Sequence, residues 1–141
     1  MLTLTKKEYE VEEPVQLKDE QDNIIYEFTM QITPDEMKEL KDMIFDDKDV
    51  KNGRKLAKLD SDSYEYEELE TKVLDNAKKR QERLEEICFK EHREEFKEKA
   101  GEYKYLEMVE IIYNFFFETF VEQRAKQVNT MTSSLKKISS N

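Results

Sequence analysis

Residues 24–44 read IIYEFTMQITPDEMKELKDMI, and the fold turns on a change of rhythm inside this stretch. Tyr26, Phe28, Met30 and Ile32 recur every second residue, with Ile25 beside them, as on a half-buried strand. From Thr33 the apolar residues Met37, Leu40, Met43 and Ile44 recur at three and four, as on an amphipathic helix. Thr33-Pro34-Asp35-Glu36 marks the switch. Thr33 suits the cap, Pro34 the first helical position, and Glu36 completes a capping box.

Upstream, Leu2 and Leu4 alternate with threonines, and Tyr9 and Val11 with glutamates, before the polar turn KDEQDN. Residues 1–32 therefore read as a β-hairpin, with room for a third short strand. Two strands alone are marginal in water, so helices must cover their apolar face. Downstream, Asp46, Asp47 and Asp49 oppose the helix dipole and place a stop near Phe45–Asp47. Lys51–Lys58 reads as a basic connector. From Ser63, Leu69, Val73, Ala77, Leu84 and Ile87 or Cys88 keep helical spacing, as one helix or as two broken near Asp75-Asn76. Gly101 is a helix stop. The last helix is expected over Tyr103–Val128, with Leu106, Val109, Ile112 or Tyr113, Phe116 and Phe120 as its core stripe. The expectation is an α+β, predominantly helical fold: one domain over 1–128, with a hairpin (1–32), helices (33–128) and a flexible polar tail over 129–141.

Charge narrows the function. The net charge is -10, and residues 1–50 hold 15 acids against 6 bases. Such a surface repels nucleic acid and anionic membranes. The basic run KNGRKLAK has no interleaved aromatics and is flanked by acids, so it reads as a solvated segment. Cys88 is the sole cysteine, which fits a reducing cytosol. The stretch MLTLTKKEYE has no apolar signal core, and no apolar run is long enough to span a bilayer.

Chemistry is sparse. There is no glycine-rich phosphate loop or dinucleotide fingerprint. Cys88 and the single histidine, His92, stand four apart on a helix, but two ligands do not make a structural zinc site. The expected reading is a buried Cys88 and His92 at the edge of the core, with no cofactor and no catalytic activity. Seven of the fifteen aromatics lie between Tyr103 and Phe120. Phe116 and Phe120 are expected in the core. Met108, Ile111, Phe115 and Phe117 widen the apolar face beyond what so small a chain can cover, so they are the expected contacts for a partner or a second copy of the chain.

The order of segments carries a resemblance. A hairpin ending in YEFTMQITPDEM is followed by an acidic helical middle. Then come EEICFKEHREEFKEKAGEYKYLEMVEIIYNFFFETFVEQR and a Ser/Lys tail. This resembles the small tail assembly chaperones of long-tailed phages infecting Gram-positive bacteria. The resemblance implies a protein in the cytoplasm of the bacterial host. It would bind the helical tape-measure protein, keep it soluble, help recruit tail tube subunits, and then leave. It also implies a minor, longer product made by ribosomal slippage near Leu135-Lys136. Two other readings compete: an acidic anti-defence or DNA-mimic inhibitor, and a structural tail or connector component.

Overall fold

The computed structural model describes residues 1–4 and 8–139. Two antiparallel strands, β1 (Val11–Lys18) and β2 (Ile24–Ile32), are followed by five helices: α1 (Pro34–Ile44), α2 (Lys48–Lys58), α3 (Tyr64–Phe89), α4 (Arg93–Ala100) and α5 (Glu102–Ser139). A 3₁₀ turn, Lys90–His92, joins α3 to α4. The fold is the expected α+β arrangement, predominantly helical, with a long last helix.

Register in the hairpin pairs Val15 with Phe28, Leu17 with Tyr26 and Val11 with Ile32. That puts Phe28, Met30 and Ile32 on the buried face. Ile25 is exposed, because a strand turns successive side chains to opposite faces. The turn is built on Asp19, whose carboxylate accepts the backbone N–H groups of Gln21 and Asn23, each at 2.9 Å. Residues 1–4 and 8–10 lie outside the strands, so the expected strand at Leu2–Leu4 does not form. Both leucines are exposed. The ladder extends only one bond further, from Glu10 N–H to the Ile32 carbonyl at 2.8 Å.

The capping box forms as expected. Glu36 N–H donates to Thr33 Oγ1 at 3.2 Å, and Thr33 N–H donates to Glu36 Oε1 at 3.0 Å. Helix α1 then buries Met37 and Leu40 and stops at Phe45. The basic segment after it is a helix rather than a connector. Its apolar positions are too few to bury any residue, and α2 packs mainly against α3.

Helix α3 runs unbroken through Asp75-Asn76 for 26 residues, about 39 Å at 1.5 Å per residue. Its expected stripe enters the core only at the end, where Leu84, Ile87, Cys88 and Phe89 are buried. Leu69 and Val73 are half-buried, and Ala77 is exposed. The chain then reverses at Lys90, which takes a positive φ of 49°. No glycine marks this break. Lys90 is held by Glu36, accepting from its Nζ at 2.7 and 2.9 Å, and by the Ile87 carbonyl at 3.0 Å.

The reversal stacks α4 back on the hairpin. Phe28, Phe89, Phe96 and Tyr105 form one aromatic cluster, with ring centroids 5.1–5.9 Å apart between packed neighbours. The hairpin therefore packs on α3 and α4, while α1 packs on α5. Helix α4 packs against both β2 and α5. Gly101 ends α4 with a φ of 81°, a conformation L-residues rarely adopt.

Burial favours the neutral form of Glu36, but bonds from Lys90 and Thr33 outweigh it and hold its carboxyl below the free value of 4.5. Arg83 does the same for Glu39. Folded values below unfolded ones mean that the native state binds fewer protons. Their stabilisation is therefore complete above pH 5, roughly, and is lost as pH falls through the folded values. Glu36→Gln keeps the capping geometry but removes the charge. It should lower stability at neutral pH by about 1.5–3 kcal/mol, the range for a hydrogen bond to a charged group, and the gap should close in acid. Urea melts of both proteins from neutral to acid pH check this; a gap independent of pH would refute the ionic role.

Candidate functional site

Helix α5 is 38 residues long, about 57 Å, and only one face of it meets the body. Tyr105, Val109, Ile112, Phe116 and Phe120 are buried. The phase differs from expectation at one end. Tyr105 is in the core, while Leu106 is exposed, because the stripe begins one residue earlier. Helix α5 also continues through Asn129–Ser139, where the sequence led us to expect a flexible tail. Thr130 Oγ1 donates to the Lys126 carbonyl there, at 2.9 Å.

The run Phe115-Phe116-Phe117 shows how the helix divides its aromatics. Each residue advances about 100° around the axis. With Phe116 fully buried, Phe115 and Phe117 emerge on opposite flanks, both exposed. Met108, Ile111 and Phe115, spaced by three and four, share the first flank. Ile111 is exposed, whereas Met108 is half-buried against the core. The four expected contact residues therefore do not form one patch. Phe117 lies on the second flank, stacked with Tyr113 at 6.4 Å and packed on Phe45 at 6.1 Å.

That second flank forms one wall of a trough of about 510 Å³ between α1, α2, α3 and α5. Met43, Ile44 and Leu84 supply apolar walls opposite Leu106 and Tyr113, and Asp46, Asp49 and Glu110 supply acids. Arg80 pairs with one oxygen of Asp49. The other oxygen, Oδ1, is buried and has no hydrogen-bond partner among the described residues. Helical spacing alone could not reveal the trough, because its walls come from four separate helices.

The remaining polar groups in and around the core serve packing. Glu85 is buried, and its Oε1 accepts from Tyr105 Oη and from Arg93 Nη2 at 3.3 Å. Burial, reinforced by Glu85, raises the Tyr105 pKa and keeps the phenol protonated as a donor. His92 stacks on Phe28 at 4.8 Å and hydrogen-bonds Tyr26 Oη through Nδ1 at 2.7 Å. Burial pushes the Cys88 thiol up to about 12. No group of three His, Cys, Asp or Glu side chains that could hold a metal ion occurs among the described residues. No helix among them is long and apolar enough to cross a membrane.

Nothing matches this chain among protein-family models, curated proteins or solved structures. The exposed flanks of α5 are thus the strongest candidate site, on geometry alone.

Two measurements test this division of α5. Phe116→Ala should cost about 3–5 kcal/mol, as for other buried Phe truncations, and Phe117→Ala clearly less; equal losses in denaturant melts would contradict it. Cys88 should resist a thiol reagent in the native protein and react on unfolding, since the thiolate is the nucleophile. Labelling in native buffer at the rate seen in denaturant would show that the site is open.

Proposed function

We propose that this protein is a non-catalytic tail assembly chaperone of a long-tailed phage, acting in the host cytoplasm on the helical tape-measure protein. The observation that carries the reading is the exposed pair Ile111 and Phe115, with the half-buried Met108 at their edge, on a helix whose other side is locked into the core. An apolar strip on a rigid helix suits the amphipathic helices of a client, in the manner of helix–groove recognition. The acidic exterior keeps such a complex soluble and favours basic stretches of the client. Several copies along one long client would need only modest affinity each. Recruitment of tail tube subunits belongs to the same reading and rests on the resemblance alone.

The DNA-mimic alternative draws less support. A mimic needs carboxylates in phosphate-like rows, whereas Glu36, Glu39 and Asp49 are each paired with Lys90, Arg83 or Arg80.

Co-expression with the tape-measure protein should raise its soluble yield without added nucleotide or metal. Ile111→Glu with Phe115→Glu should abolish that gain while leaving the circular dichroism spectrum and melting curve unchanged. An unchanged yield with the parent protein, or a gain that needs ATP, would rule out passive binding; a gain that survives in the double variant would move the client to another surface.

A further inference from the structure

We infer that two copies of this chain associate through α5 in antiparallel fashion, each seating the distal part of its α5 in the trough of the other. This goes beyond the chaperone reading and stands on a different flank of the helix.

The first ground is periodicity. Leu106, Tyr113 and Phe117 are exposed on the trough side of α5. The same row continues past the body through Val121, Val128, Met131 and Leu135, all exposed. From Val121 the steps to Arg124, Val128, Met131 and Leu135 are three, four, three and four residues, the spacing of a coiled-coil seam. The flanking Ala125, Gln127 and Thr132 are uncharged, so no acid beside the row opposes its approach to the acidic trough.

The second ground is the unsupported end. From Val121 onward every described side chain is exposed. The segment is rich in poor helix formers, including Val128, Asn129, Thr130 and Thr132. A helix of about 15 such residues is marginal in water without packing. Arg124 stacks over Phe45 of the same chain at 4.7 Å, and beyond it the described seam residues Val128, Met131 and Leu135 are exposed and gain packing only from a partner.

The third ground is charge, and it identifies the occupant. Val121–Ser139 carries Arg124, Lys126, Lys136 and Lys137 against Glu122, in a chain whose net charge is -10. The trough carries Asp46, Asp49 and Glu110 against Arg80. The chain thus holds both a basic apolar helix and an acidic apolar trough. The trough admits the side chains of the seam rather than a whole helix.

Orientation follows from position. Val121 stands almost midway between Leu106 and Leu135. An antiparallel pair with its two-fold axis near Val121 puts Leu135 against Leu106 and Val128 against Tyr113, while Arg124 keeps its place over Phe45 of its own chain. Such a contact is isologous and closes on itself. A parallel pair would leave both troughs empty and bring like-charged distal segments side by side.

Light scattering on the full chain should give twice the chain mass of 17.1 kDa. Val128→Glu with Leu135→Glu, on the seam, and Leu106→Glu, in the trough, should each give a monomer whose helical content falls only by the distal turns of α5. Register is read by oxidation, since the native Cys88 is buried. Val121→Cys should cross-link to its own copy. Leu135→Cys should not do so alone, but should cross-link when mixed with Leu106→Cys. A monomeric parent protein, a Leu106→Glu variant that remains dimeric, or efficient self-linking of Leu135→Cys would each overturn the proposal. No client is present in any arm, so the result is independent of the chaperone reading.

Discussion

One carboxylate ties the chain together. Glu36 accepts from the Thr33 backbone and so starts α1, and it also accepts from Lys90, where α3 turns back into α4. Lys90 occupies a positive-φ conformation that an L-residue rarely takes. It is retained because the ammonium is held on three sides, by both Glu36 oxygens and by the Ile87 carbonyl. Without that reversal, α3 would run straight on, and Phe96 would not reach Phe28 and Phe89. The aromatic cluster, and with it the seat of the hairpin, depends on the turn.

The position of α4 then sets the exposure of α5. Because α4 fills the space between the hairpin and α5, the strands do not cover the last helix. Helix α5 is held along one stripe, from Tyr105 to Phe120, and its two flanks stay open. A small chain with a modest core cannot surround a helix this apolar. The excess apolar surface falls on two opposite flanks with different surroundings. Met108, Ile111 and Phe115 form a short strip on one, while Leu106 and Tyr113 line a walled, acidic trough on the other, with Phe117 stacked beside Tyr113.

Charge is distributed to the same effect. The body is acidic, yet several of its carboxylates are neutralised locally by Arg80, Arg83, Lys90 and Arg93. The distal part of α5 is basic. Surface pairs of this kind contribute little stability individually, but a basic arm beside an acidic body biases which surfaces meet, and in which orientation.

The local signals were strong where they needed no distant partner. The period-2 run over Ile24–Ile32, the capping box at Thr33–Glu36, the stop at Gly101 and the burial of Phe116 and Phe120 are all written in neighbouring residues, through pleat, hydrogen-bond and helix geometry. Legible signals ended where pairing or packing between distant segments decides. Leu2 and Leu4 alternate like a strand but find no strand to join. Lys90 reverses the chain without a glycine because a glutamate 54 residues earlier in sequence holds it. Phe115 and Phe117 look equivalent in sequence, yet the phase at which α5 meets the body sends them to opposite flanks. The sequence by itself determined the hairpin core, α1, α3 and the body of α5, and the excess of apolar surface on the last helix. Only the tertiary structure decided which flank became a trough, because its walls come from α1, α2, α3 and α5, and no local periodicity records which helices will stand side by side.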